Sequence, residues 1–330
     1  MDLSTEYLGL RLPHPLIAGA SPLSDSLDSA RRLEDAGAAA IVMRSLFEEQ
    51  ITAEALATHA SMHPHAESFG EALSYFPTPQ GFVLGPHEYL EHLRRLKAAV
   101  RVPVMASLNG STPGGWLEHA KLIEQAGADA LELNLYYVAT DPGVSGVALE
   151  RRALEMVGIV RREVRMPIAV KLSPWYTSLA HFARELVWAG ASGLVLFNRF
   201  FEPDIAVEEL EVVSRLELSD PRELLLRLRW LAVLSGQVEA SLAVTGGVHS
   251  GLDAIKALMC GAHAVQMVSA LLLHGPQHLG RVRQDIAAWM QEKGYERLEQ
   301  MRGCMNLLRC PDPAAFERAN YLQTLQTWSS

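Results

Sequence analysis

The stretch Glu124-Gln125-Ala126-Gly127-Ala128-Asp129-Ala130-Leu131-Glu132-Leu133-Asn134-Leu135 decides the fold. Its first half reads as the end of a helix, because glycine just past a helix takes a left-handed turn without steric cost. Its second half, Ala130 to Leu135, is a short apolar run of the length of a buried strand. The small-residue phrase returns as Glu34-Asp35-Ala36-Gly37-Ala38, Val187-Trp188-Ala189-Gly190-Ala191 and Leu258-Met259-Cys260-Gly261-Ala262, each followed by another apolar run. Helices that stop on glycine and feed a strand mark successive βα units.

Working outward, eight such runs read as parallel strands: Leu16 to Ala20, Ala39 to Met43, Val104 to Leu108, Ala130 to Leu135, Ile168 to Leu172, Gly193 to Phe197, Leu242 to Thr245 and Ala264 to Val268. A doubly wound open sheet shares these turns, but its Gly-x-Gly-x-x-Gly phrase after the first strand is missing here. The expected fold is α/β, a (β/α)8 TIM barrel. No Gly/Ser-rich linker divides the chain, and such barrels run past about 250 residues as one domain, so residues 1–330 read as a single unit. Two long loops interrupt the alternation. Phe47 to Pro86, after strand two, carries His63-Pro64-His65 and Tyr75-Phe76-Pro77-Thr78-Pro79; Phe200 to Arg222, after strand six, is acidic and broken by Pro203 and Pro221. Long loops at the carboxyl end of a barrel cover its site.

Charge and composition narrow the function classes. Lys plus Arg number 29 against 38 Asp plus Glu, and the net charge of −9 argues against broad nucleic-acid or anionic-membrane binding. No apolar run reaches the roughly 18 residues of a membrane span, and Met1 to Leu12 lacks the basic start of a secretory signal, so a cytoplasmic protein with a small-molecule substrate is expected. Cys260, Cys304 and Cys310 lack CxxC spacing and read as reduced, partly buried thiols. His63 and His65 lack the spacing of a metal site, so no metal is expected.

In a barrel, polar residues at the carboxyl ends of strands converge on the site. Here these are Ser21; Arg44 and Ser45; Asn109; Asn134 with Tyr136 and Tyr137; Lys171; and Asn198 with Arg199. Lys171 is the sharpest, since an ammonium closing an apolar strand needs a ligand or a carboxylate, and Glu132 on the neighbouring strand is one candidate partner. After strand seven comes Thr245-Gly246-Gly247-Val248, with a helix expected from about Ser250; after strand eight comes Ser269-Ala270. These two loops are where barrels place phosphates, although a glycine pair also serves plain tight packing. His249 stands beside this loop as a hydrogen-bond donor to it or as a solvated cap.

In this order the motifs are more specific than any one alone. Pro15-Leu16-Ile17-Ala18-Gly19-Ala20-Ser21, Leu131-Glu132-Leu133-Asn134-Leu135, Val170-Lys171-Leu172-Ser173-Pro174, Thr245-Gly246-Gly247, and Cys260-Gly261-Ala262 through Ser269-Ala270-Leu271 resemble the dihydroorotate dehydrogenase family over essentially the whole chain. The resemblance implies an FMN-dependent barrel acting on CH–CH groups, in that family a step of pyrimidine biosynthesis, and by analogy a homodimer. It places Ala20 and Ser21 along the flavin, Lys171 at its N1 and O2 side, Asn134 and Asn198 toward flavin or substrate, and Gly246, Gly247, Ser269 and Ala270 on the phosphate. Arg44, Ser45, Asn109 and Thr245 complete the cofactor set.

The departures bear on the substrate. Where the family continues from this asparagine through serine to a cysteine or serine base, then proline and asparagine, this chain reads Tyr136, Tyr137, Val138 and Ala139. A phenol, with an ordinary pKa of about 10, is a poor base near neutrality but donates a proton or positions a carbonyl. The family's lysine after strand two is Arg44, which keeps its proton. The expected function is an FMN oxidoreductase that turns over little or no dihydroorotate, with Lys171 and Tyr137, or Tyr136 if the loop is offset by one, as catalytic groups. Two alternatives remain: a flavin- or phosphate-binding protein without turnover, and a lyase or isomerase using Lys171 on a sugar phosphate.

Overall fold

Strands buried on both faces separate their alternating side chains into an inner and an outer core. The computed structural model describes residues 1–48, 50, 85–110, 113–199, 202–317 and 320–327. In it eight parallel strands close on themselves: β1 (Leu16–Ala18), β2 (Ile41–Val42), β3 (Val104–Gly110), β4 (Ala130–Leu135), β5 (Ile168–Leu172), β6 (Gly193–Leu196), β7 (Ser241–Thr245) and β8 (Ala264–Met267). Pairing runs in chain order around the ring, and β2 joins β3 through Ile41 opposite Val104. The expected barrel and its eight strands are all present, with ends shifted by up to two residues. Strand two is interrupted: after Met43-Arg44-Ser45 the chain pairs again, Leu46 opposite Leu108 and Phe47 opposite Asn109.

Leu131, Leu133 and Leu135 of β4 and Val170 and Leu172 of β5 belong to the outer core, which the helices cover. Helices that bear on the site are α1 (Leu27–Asp35), α2 (Pro86–Ala99), α3 (Pro113–Gln125), α4 (Gly146–Glu163), α5 (Leu179–Trp188), α6 (Leu224–Leu234) and α7 (Gly251–Met259). Ser250 caps α7 and forms a capping box with Asp253, where the helix was expected to begin.

Inward, much of the lower tier is small, with Ala130, Ala169, Ala243 and Ala264 beside Ile17, Met105 and Val195. The space is filled from below by an antiparallel hairpin, Thr5–Tyr7 with Leu10–Leu12, which turns through Leu8 and Gly9, both at positive φ. Tyr7, Leu8 and Leu12 pack among the alanines. At Gly193, the first residue of β6, a Cβ would stand 2.5 Å from Leu8 Cδ2 and 3.0 Å from the Ser241 carbonyl, so a side chain there would press on the plug.

The loop expected after strand two, with His63, His65 and the Tyr75 to Pro79 stretch, lies almost wholly outside the described residues. The loop after strand six is described from Glu202 onward. It forms a hairpin, Asp204–Ala206 with Glu211–Val213, and returns over the barrel mouth through Leu216 to Ser219. Among the described residues no helix is long and apolar enough to cross a membrane.

Candidate active site

Strand register stacks the polar residues above the alanine tier. Asn109, Asn134 and Lys171 stand side by side on β3, β4 and β5, and two residues lower on β3 and β4 are Ser107 and Glu132. Glu132 is 1% exposed, a burial a carboxylate tolerates only when its oxygens are paired. Both are: Lys171 Nζ donates to Oε1 at 3.2 Å and Gln266 Nε2 donates to Oε2 at 2.6 Å. Below this pair the Tyr7 hydroxyl and the Gln266 side chain are buried together. Burial, reinforced by the charge of Glu132, holds the Tyr7 phenol well above its ordinary pKa. The two readings of Lys171 thus coincide, since it pairs with Glu132 and also lines the cavity above.

That cavity occupies 520 Å³ at the carboxyl ends of the strands, within the range of roughly 300–1,000 Å³ for small-molecule sites. Asn134 is fixed on its wall. Its Nδ2 donates to Ser45 Oγ at 3.1 Å, Ser107 Oγ at 2.9 Å and the Leu108 carbonyl at 3.3 Å, leaving the carbonyl Oδ1 for the cavity. Ser45 and Ser107 share a hydrogen bond of 2.8 Å, and the buried Tyr89 hydroxyl brackets the Ser107 backbone at 2.9 and 3.2 Å. Ala20 and Ser21 form a ledge after β1. Arg44 lies at the rim, its Nη1 2.9 Å from Asp25 Oδ2. On the far side stand Asn198 and Arg199, the latter 3.5 Å from Glu223.

At the end expected to hold a phosphate, Thr245, Gly246 and Ser269 line the cavity, whereas Gly247 and Ala270 do not. Ser219 sits between the two loops. Its hydroxyl accepts from Gly247 N–H at 3.2 Å and donates to Ser269 Oγ at 2.8 Å, and its own N–H donates to Ser269 Oγ at 3.0 Å. Ser269 therefore keeps its own hydroxyl proton for a ligand. Gly247, at φ +78, faces packing: a Cβ there would meet the Leu224 backbone nitrogen at 2.5 Å. Behind Gly246 lies the buried guanidinium of Arg227, whose Nη1 donates to the Glu223 carbonyl at 2.6 Å. His249 is not in the lining; its Nε2 donates to the Ser219 carbonyl at 2.7 Å and pins the covering loop.

The two tyrosines part company where β4 ends. Alternation puts Asn134 inward and Leu135 outward; beyond the strand Tyr136 lines the cavity and a second chamber beside it, whereas Tyr137 does not line the cavity. Tyr137 is 44% exposed and, with Ala139, lines that second chamber. Ser107, Ser219 and Arg227 were missed by sequence reasoning. Arg227 left a trace, a charge inside the apolar run Leu224-Leu225-Leu226-Arg227-Leu228, but the two serines left none. Among the described residues no group of three His, Cys, Asp or Glu is placed to hold a metal, and the three thiols are free.

FMN, the group the resemblance implies, has a carbonyl-rich ring that gains negative charge on reduction and a phosphate tail. The donor set matches it: a buried ammonium at the floor, fixed amides on the walls, and a hydroxyl donor at the end backed by Arg227.

Residues 81–290 match the family model described as dihydroorotate dehydrogenase. The chain is 27% identical to a putative dihydroorotate dehydrogenase A (fumarate) of Aeropyrum pernix, covering 92% of this chain and 97% of that one. It is 25% identical to the catalytic subunit of a dihydroorotate dehydrogenase B (NAD(+)) of Thermoplasma volcanium, over 92% and 98%. It is also 22% identical to a chloroplastic dihydropyrimidine dehydrogenase (NADP(+)) of Arabidopsis thaliana, over 92% and 76%.

Proposed function

The chain belongs to the dihydroorotate dehydrogenase family, and from that premise we propose that it is an FMN-dependent oxidoreductase acting on a carbon–carbon bond beside a carbonyl, with a substrate other than dihydroorotate. The observation that carries this reading is Lys171, held by Glu132 at the floor of the cavity between Asn134 and the ledge of Ala20 and Ser21. Bound there, FMN supplies hydride transfer. Ala20, Ser21 and Lys171 would hold its ring, and Thr245, Gly246 and Ser269 its phosphate end.

The chain's own groups divide the remaining work. Lys171 stabilises negative charge on a ligand in a site where little water screens it. Asn134 orients a donor through its free carbonyl. Tyr136 holds a proton at the cavity wall, and Arg44 offers a two-donor fork to a carboxylate or carbonyl oxygen. What is missing is a base: the loop from Tyr136 to Ala139 supplies neither thiol nor serine hydroxyl. Because general base catalysis is worth about 10² to 10⁴ in rate, dihydroorotate should be oxidised slowly at best.

That same absence favours a second reading, a flavin-binding protein without turnover. The absorption spectrum of the purified protein, with identification of the released cofactor, tests the first step; a colourless protein that takes up no FMN sinks it. Anaerobic mixing of the FMN-loaded protein with excess dihydroorotate tests the second. Rapid bleaching with formation of orotate would show an ordinary member of the family, and reduction by another substrate would separate enzyme from binder.

A further inference from the structure

Outside the rim of the barrel, between the ends of β4 and β5 and the start of α4, lies a second chamber of 390 Å³. Fewer charged and amide side chains line it than line the cavity over Lys171. Leu149, Ala153 and Met156 of α4 form one wall and the aromatic rings of Tyr137, Trp175 and Tyr176 the other. Among the described residues its only charged side chains are Glu150 and Arg152, one of each sign, so the chamber offers no net charge. The Tyr176 wall is fixed: its ring packs 4.4 Å from that of Phe182, and burial pushes its phenol up to about 12 despite a hydrogen bond with Ser173.

Two further observations point to a ligand. Trp175 is 71% exposed and Tyr137 44%, a display of aromatic surface around a concavity that soluble proteins keep for binding. Tyr136 lines both this chamber and the reaction cavity, so the two share a wall at that residue. Ala139, at the place where the resemblance expects a substrate-gripping amide, lines the chamber and adds no polar side chain to it.

We propose that this chamber binds an uncharged aromatic or branched aliphatic arm of the substrate whose carbonyl-bearing end lies beside Lys171. The inference rests on the reading of the Lys171 cavity as the reaction site. It deepens that reading by naming the substrate class: a conjugated carbonyl compound with an apolar substituent, larger than a bare pyrimidine ring.

Three measurements on the full chain separate the parts. FMN occupancy, read from the flavin band, tests the reaction site alone. Quenching of Trp175 fluorescence by benzyl alcohol, taken as the difference between the natural protein and Trp175→Phe, tests the chamber alone. The affinities of uracil and 5-benzyluracil for the FMN-loaded protein, measured by calorimetry, test the link. We expect 5-benzyluracil to bind at least ten-fold more tightly than uracil, and Ala153→Phe, which fills the chamber, to abolish that advantage while leaving uracil binding and FMN occupancy unchanged. Equal affinities in the natural protein, or an advantage that survives in Ala153→Phe, would overturn the inference while the function stands. Benzyl alcohol quenching without FMN uptake would overturn the function and with it the link, leaving an apolar site alone. If Trp175 becomes shielded as protein concentration rises, alongside a dimer in sedimentation and with no quenching by benzyl alcohol, the chamber belongs to a second copy and the inference falls.

Discussion

The two ends of this barrel are built from the same alternating strands and do opposite things with them. At the amino end the inward positions are largely alanine, the filling comes from Tyr7, Leu8 and Leu12, and two nearby histidines are kept neutral. His14 and His263 each accept a backbone N–H on Nδ1, from Leu16 at 3.3 Å and from Leu242 at 3.0 Å, and burial, then a neighbouring arginine, lowers both to about 4. At the carboxyl end the inward positions are Asn109, Asn134 and Lys171, and the filling is left out. One end thus gains stability from packed apolar surface, and the other gives it up for a solvent-reachable set of charged and amide groups.

The largest expected effect tests whether the carboxyl end carries stability as well as chemistry. Lys171→Met should lose about 3–5 kcal/mol, because it strands the Glu132 carboxylate in the barrel interior. Adding Glu132→Gln should restore most of that stability in denaturant titrations, since the uncompensated charge is gone, but it should not restore FMN affinity. Recovery of both together would show that Lys171 acts only as the partner of Glu132.

The amino end breaks by acid. The unfolded chain binds protons at His14 and His263 near the ordinary value of about 6.5, while the folded chain refuses them until about 4. Their contribution is therefore complete above pH 6.5 and lost as pH falls from 6.5 to 4, at about 3 kcal/mol for each histidine. Stability measured in that window should fall with acid, and His263→Gln should flatten the slope. An unchanged slope would mean that His263 is protonated in the folded state. Next in size, Leu8→Ala should cost about 2–3 kcal/mol by emptying the plug beside Gly193, with FMN affinity unchanged in the folded fraction.

How much of this contrast was legible follows from what each feature costs in sequence. The barrel was legible because Gly37, Gly127, Gly190 and Gly261 all need positive φ at helix ends, which leaves a repeated glycine. Lys171 and Asn134 were legible because a polar residue inside an apolar strand is conspicuous. The plug was not, since Tyr7 to Leu12 are too few to show a period and reveal themselves only through Gly193, some 180 residues away. Ser107 and Ser219 were invisible for a similar reason: a serine is common everywhere, and only the hydrogen bond that Ser107 accepts from Asn134 Nδ2 gives it a role. The resemblance supplied what register and period do not, the expectation of FMN.

The smallest expected effect divides Tyr136 from Tyr137, the two neighbours that sequence alone left exchangeable. Tyr136 lines the cavity over Lys171 as well as the second chamber, whereas Tyr137 lines the second chamber alone, so the two differ in surroundings. Removing only the oxygen keeps both rings as walls and isolates the hydroxyl. Tyr136→Phe should lower the rate of flavin reduction by the natural substrate roughly ten-fold, the worth of one hydrogen bond of about 1.4 kcal/mol. Tyr137→Phe should leave that rate unchanged, because a hydroxyl at a half-exposed position bonds water whether or not substrate is present. Stopped-flow reduction of the two variants decides between them. Equal losses would mean that the loop from Tyr136 to Ala139 refolds around the substrate, and a loss confined to Tyr137→Phe would put the proton donor one residue further along the chain.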